Sequence, residues 1–166
     1  FLFAPIPAMD ESAKYKCPYL QGNTQRNATE AYKAEPEKYS HILQTDPSEV
    51  NYGWTYPLWL QQMEKEQGWK PKNRKIHIVA EQVGYCQTIL KAAKEAIPKY
   101  DFELAEVTDI QYPVNDWSPV MQKLKEVDAG AIMIDHWVAS EYAAFCKQFS
   151  SDPVKDSLVY LQYGPS

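Results

Sequence analysis

The sequence predicts an α/β protein built on a doubly wound parallel sheet, with helices covering both sheet faces in three αβα layers. Three observations carry this expectation. From Lys75 onward, short apolar runs alternate with segments of helical period, and the links between them are brief. Within "KIHIVAE", Ile76, Ile78 and Ala80 with His77 and Val79 make a strand that reads as buried. The segment after it places Tyr85, Ile89, Ala92, Ala93 and Ala96 on one helical face. Strand and helix in alternation with short links imply parallel strands joined by right-handed crossovers.

In chain order, Phe1–Phe3 reads as the end of a strand, Asp10–Tyr15 as a short helix and Pro18–Leu20 as a strand. The polar, weakly patterned stretch Gln21–Lys38 reads as an extended surface loop. Ser40–Gln44 reads as a strand. A helix follows over Glu49–Gly68, with Ser48 as its cap and Val50, Trp54, Leu58 and Met63 as its stripe, and with Pro57 expected to kink it or shift its start. "GWKPKNRK" is a basic, turn-rich, solvated loop. Strands are then expected at Ile76–Ala80, Phe102–Val107, Ala131–Asp135 and Leu158–Gln162. Helices are expected after the first of these, at Trp117–Val127 and at Ser140–Phe149. Asp116 is placed to cap the Trp117 helix or accept in its turn. Trp54, Trp59 and Trp69 read as core or interface residues.

Composition narrows the function. The 166 residues carry a net charge of −5 and no Lys/Arg cluster interleaved with aromatics, so a nucleic-acid partner is not expected. The longest apolar runs fall short of the roughly 20 residues that span a bilayer. The chain opens on Phe1-Leu2-Phe3 without Met, which reads as the inside of a longer protein. Cys17, Cys86 and Cys146 have neither metal-ligand spacing nor an even number and read as packing thiols. No GxGxxG, GxxxxGK[ST], GxSxG or HExxH is present, so no cofactor and no metal are expected. The single glycine and missing lysine of Glu81-Gln82-Val83-Gly84-Tyr85 also set aside a phosphate loop.

The architecture itself locates a site, because open parallel sheets bind ligands beyond the carboxyl ends of their strands. The stretches in question are Gln21-Gly22-Asn23-Thr24, Glu81 to Tyr85, Asp135-His136-Trp137 and Gln162-Tyr163-Gly164. Amide, hydroxyl, aromatic and acidic groups gather there, as suits a small polar ligand. Each residue also has a plainer reading. Thr24 can close a turn, Tyr85 can pack on the sheet, and His77 can be a satisfied buried imidazole. His136 can be a polar contact at a pocket rim or an acid or base.

Residues 75–166 resemble the type I periplasmic binding proteins, the extracellular ligand-binding receptors of branched-chain amino acid ABC transporters. The resemblance rests on "EQVGYCQTI" after a strand, "TDIQYPVNDWSPVMQKLKEVDAGAIMI", "DHWVASEYAAFCKQF" and "YLQYGPS". "AMDESAKYKCPYLQGNT" and "YSHILQTDPSEVNYGW" extend it through the earlier part. Here the turn reads Gly-Tyr-Cys where the family has Tyr-Gly.

The resemblance implies a two-lobed fold, with residues 1–46 the later part of a first ligand-binding lobe and 47–166 the first part of a second. It implies a periplasmic or extracellular solute-binding protein that holds a small ligand between lobes and hands it to a membrane permease, meeting the membrane only through that permease. By the same resemblance Gly22, Asn23 and Thr24 offer donors to a ligand carboxylate, and Tyr85 and Trp137 supply rings. Gln162 or Tyr163 stands where an ammonium partner is expected, with Glu81 or Asp135 as replacements. The expected ligand is an amino acid, an amide or an aromatic acid, bound without chemistry. Two alternatives stay open: a ligand-sensing domain of a receptor or regulator, and an α/β enzyme using Asp135 and His136.

Overall fold

A computed structural model describes residues 2–3, 8–22 and 25–163. The chain divides into two compact units, residues 1–51 and 52–166. In the first, strands β1 (Leu2–Phe3), β2 (Tyr19–Gln21) and β3 (Ile42–Gln44) pair in parallel in that order. Helices α1 (Ala8–Tyr15) and α2 (Arg26–Ala34) alternate with them, and Met9, Tyr19, Ala28, Tyr39 and Ile42 form a small core.

Helix α2 corrects the expectation of an extended loop over Gln21–Lys38. Its apolar signal is faint because only Ala28 is buried. Three alanines and pairs of Glu30 with Arg26 and Lys33 favour the helix on an otherwise solvated face.

Helix α3 (Val50–Glu66) runs through Pro57 without interruption and leads into the second unit. Its buried face is Gly53, Tyr56, Pro57 and Leu60, whereas Trp54 and Leu58 are exposed, so the expected stripe and the core reading of Trp54 do not hold. Gly53 sets this rotation: a Cβ there would stand 2.3 Å from the Ile89 carbonyl oxygen and 2.7 Å from the Ala92 Cβ. Bare backbone lets the neighbouring helix approach along its alanines. Ser48 does not cap with its side chain; its hydroxyl donates to Glu49 (2.7 Å), and its carbonyl accepts from the Asn51 amide.

The second unit carries the sheet that positions the site. Strands β4 (Lys75–Glu81), β5 (Glu103–Ile110), β6 (Ala131–Asp135) and β7 (Leu158–Gln162) are all parallel, in the order β5-β4-β6-β7. Helices α4 (Gly84–Ala96), α5 (Ser118–Val127) and α6 (Ala139–Ser151) make the crossovers, with a short 3-10 helix at Ile97–Tyr100. The period-2 alternation sorts the side chains into two cores. Ile76, Ile78, Ala80, Ala131 and Met133 pack with Tyr56, Leu60, Ile89 and Ala93, under α3 and α4. Val79, Ile132 and Ile134 pack with Trp117, Val120, Leu124, Tyr142 and Phe145, under α5 and α6. The sheet is thus covered on both faces and doubly wound, as the sequence predicts.

Asp116 accepts from the Ser118 amide (2.9 Å) at the entry to α5. Cys86 is buried, but Cys146 lies on the exposed face of α6 and is no packing thiol, since the inward positions there belong to Tyr142 and Phe145. Among the described residues no helix is long and apolar enough to cross a membrane.

Candidate functional site at the carboxyl ends of the second sheet

The connection from β4 leads to β5 on one side, and the chain then crosses β4 to reach β6 on the other. The switch point of this sheet therefore lies between β4 and β6, the place where open parallel sheets bind ligands beyond their strand ends. Glu81 ends β4 and Asp135 ends β6, with Ala80 opposite Asp135 in the register. Sequence position alone brings two carboxyl groups to that point.

Each of the four strands is also followed by a ring. Tyr85 lies in the first turn of α4, Tyr112 two residues past β5, Trp137 two past β6 and Tyr163 directly after β7. Tyr112, Trp137 and Tyr163 are 50%, 51% and 44% exposed, and Tyr85 is partly buried. The rings stand in two pairs, Tyr85 with Tyr163 edge to face at 6.3 Å and Tyr112 with Trp137 tilted at 6.2 Å. Large rings left in water at strand ends keep surface available for stacking.

Beneath the rings is a buried polar floor of Glu81, Asp135, His136 and Gln162. The Gln162 amide, oriented to satisfy both its ends, donates to Asp135 Oδ1 (3.2 Å) and to the His136 carbonyl (3.1 Å), which turns its oxygen toward the Tyr85 hydroxyl. Asp135 Oδ2 has no hydrogen-bond partner among the described residues. Burial pushes the Asp135 carboxyl well above the usual carboxylate range, and nearby Glu81 adds to this while the Cys86 thiol beside it opposes. Burial raises Glu81 as well, against the pull of the Trp137 indole, and burial lowers His136. Among the described residues, no lysine or arginine pairs with Glu81, Asp135 or Glu141. The floor is buried, acidic and short of partners among the described residues, an arrangement that costs stability unless something completes it.

His136 is fully buried, not at a pocket rim. Its Nδ1 accepts from the backbone amides of Trp137 (2.8 Å) and Val138 (3.4 Å) and so shapes its own turn, while Nε2 is buried without a partner among the described residues. His77 is bonded on one side only among the described residues: Nε2 meets Thr108 Oγ1 at 2.8 Å and Nδ1 has no partner there.

Two residues escaped the sequence reading. Tyr112 was not recognised because β5 runs to Ile110, past the polar Thr108 and Asp109 that break its apolar pattern. Tyr142 of α6 places its hydroxyl among the carbonyls of Ile134 (3.2 Å), His136 (2.6 Å) and Gln162 and accepts from the His136 amide (3.1 Å). It thus holds the ends of β6 and β7 in place, a role with no local sequence signal. Gly22 is exposed after β2, in the first unit; Asn23 and Thr24 lie outside the described residues.

Comparison with known proteins bears on this arrangement. No protein-family model and no curated protein matches the sequence. Solved structures do match. One from Silicibacter pomeroyi, provisionally described as a branched-chain amino acid ABC transporter, is 29% identical with a TM-score of 0.84, over 94% of this chain and 39% of that one. The fold is that of the type I periplasmic binding proteins.

Other proteins of the type I periplasmic binding fold match at lower identity and show the fold alone. A solute-binding protein of an ABC transporter from Rhodopseudomonas palustris BisB5, in complex with 3,4-dihydroxybenzoic acid, is 18% identical with a TM-score of 0.64 over 95% of this chain and 39% of that one. An ABC transporter substrate-binding protein from Desulfitobacterium hafniense, in complex with Leu, is 13% identical with a TM-score of 0.67 over 94% and 42%. The chain spans about 39% of the length of the first two of these structures.

Proposed function

We propose that this chain belongs to a solute-binding protein of an ABC transporter and that the carboxyl edge of its four-stranded sheet is one wall of the ligand site. The observation that supports this most is the ring at the end of each of four strands, set above a buried polar floor with unpartnered atoms. In this reading Tyr85, Trp137 and Tyr163, joined by Tyr112, stack on the ligand, and Asp135 and Gln162 hydrogen-bond its polar end. Gly22, Asn23 and Thr24 are retained as ligand contacts on the sequence resemblance alone, and residues 1–46 and 47–166 as parts of two lobes.

The ligand class is a small amino acid, amide or aromatic acid; the similar structures that carry Leu and a dihydroxybenzoate support that range. We assign the protein to the space outside the cytoplasm, delivering its ligand to a permease. The buried, backbone-bonded His136 favours binding over acid–base catalysis.

A thermal-shift screen of the full-length protein against L-amino acids, benzoates and amides tests the reading. One class should raise the melting temperature with no product formed. Turnover that disappears in His136→Ala, or no response to any of the three classes, would sink it.

A further inference from the structure

We infer that Tyr142 is a positioning residue whose hydroxyl holds two of the rings, Trp137 and Tyr163, by gripping the backbone from which each of them grows. The inference takes from the binding reading only the use of those rings; the geometry stands by itself. Tyr142 lies in the first turn of α6 and is 2% exposed. Its hydroxyl accepts from the His136 amide (3.1 Å) and faces the carbonyls of Ile134 (3.2 Å), His136 (2.6 Å) and Gln162. Burial raises the phenol above its ordinary range, so the proton stays in place to donate to them. The last pair of the β6–β7 ladder is Asp135 with Gln162. The hydroxyl thus ties the two strands just where the sheet stops.

A carbonyl shares its peptide plane with the nitrogen of the next residue. The His136 carbonyl therefore belongs to the plane that leads into Trp137, and the Gln162 carbonyl to the plane that leads into Tyr163. Tyr163 has a φ of 59°, in the left-handed region that a residue with a β-carbon enters only at a cost. Such a conformation lasts where the surroundings impose it, and a turn of the 162–163 plane would release it. The 136–137 plane has two more ties, the Gln162 amide on the His136 carbonyl (3.1 Å) and the Trp137 amide on His136 Nδ1 (2.8 Å). Loss of the hydroxyl should therefore displace Tyr163 more than Trp137.

Tyr142→Phe keeps the ring, whose centroid lies 5.9 Å from that of the His136 imidazole, and removes only the hydroxyl. Full-length protein labelled with 3-fluorotyrosine, its signals assigned with Tyr163→Phe, Tyr19→Phe, Tyr39→Phe and Tyr56→Phe, reads the change by fluorine NMR without any ligand. In Tyr142→Phe the Tyr163 signal should shift while those of Tyr19, Tyr39 and Tyr56, buried in other cores, stay in place. A melting-temperature cycle tests the backbone itself. Glycine enters the left-handed region freely, so Tyr163→Gly relieves a cost that exists only while the 162–163 plane is held. Its effect on the melting temperature should be more favourable in the parent than in Tyr142→Phe by about 2 °C. A hydroxyl that merely supports the fold would lower the melting temperature of Tyr142→Phe and produce neither result. An unmoved Tyr163 signal, or an equal effect of Tyr163→Gly in both backgrounds, overturns the inference. Since no ligand enters, failure here is distinct from failure of the thermal-shift screen.

Discussion

The two ends of the four-stranded sheet are built on opposite terms. At the amino end a network of polar groups is paired. Asn73 accepts from the amides of Gly130 (2.8 Å) and Lys75 (3.0 Å) and donates to the Asp128 carbonyl (2.9 Å). Lys72 reaches Asp128 and the Lys155 carbonyl, and Ser157 bonds the Ala129 carbonyl. At the carboxyl end, Asp135 Oδ2 and His136 Nε2 are buried without partners among the described residues, and three large rings stand in water. One end closes the fold; the other keeps bonding capacity in reserve. Glu81 Oε2, Asp135 Oδ2 and His136 Nε2, buried without hydrogen-bond partners among the described residues, stand together at the switch point, which supports the proposed site there.

Substitutions can break or sharpen this contrast. The largest effect belongs to the closed end. Gly130→Ala would put a Cβ 2.2 Å from the Asn73 carbonyl oxygen, and with backbone on both sides it should cost about 3 kcal/mol of stability, read by denaturant unfolding. Asn73→Ala removes the bonds that join the 73–75 and 128–130 segments and strands the Gly130 amide, for a loss of about 2 kcal/mol with ligand affinity kept. At the open end the sign reverses. Asp135→Asn, which relieves a buried carboxyl that resists ionisation, should gain about 1 kcal/mol above neutral pH while weakening ligand binding. Trp137→Ala, at a half-exposed ring, should change stability by less than about 0.5 kcal/mol and still weaken binding.

A titration separates the sheet interior from the edge. Burial holds His77 down to about 4 from the ordinary 6.5. The unfolded chain therefore binds the proton first, and the native state loses stability as pH falls from 6.5 toward about 4. Asp135 and Glu81, both raised, act in the other direction: the native state holds their protons longer, and stability falls as pH rises from the ordinary carboxylate value through their elevated ones. His77→Gln should flatten the acid side of the stability profile, whereas Asp135→Asn should flatten the side above it.

The legible parts of the fold were those with strong local patterns. Strands β6 and β7 are apolar but for their last residue, β4 centres on Ile76, Ile78, Val79 and Ala80, and the alanines of α4 mark its inner face. Helix α2, with a single buried residue, carried no comparable signal. The face of α3 was misjudged because a glycine, not an apolar side chain, decides which way it turns. Glu81, Asp135 and Gln162 end strands and Tyr85, Trp137 and Tyr163 come shortly after them, a placement at the carboxyl ends that the alternating pattern reveals. Tyr112 was hidden by the polar end of β5. The bond that ties Tyr142 to Gln162 joins residues distant in the chain, and no local period reports it.

The most direct test is a thermal-shift comparison of the full-length parent with a Trp137→Ala/Tyr163→Ala variant, using L-amino acids, benzoates and amides. Both proteins should melt at nearly the same temperature without ligand, and one ligand class should raise the parent's melting temperature and leave the variant's unmoved. An equal rise in both would place the ligand elsewhere and contradict a site at the carboxyl end of this sheet.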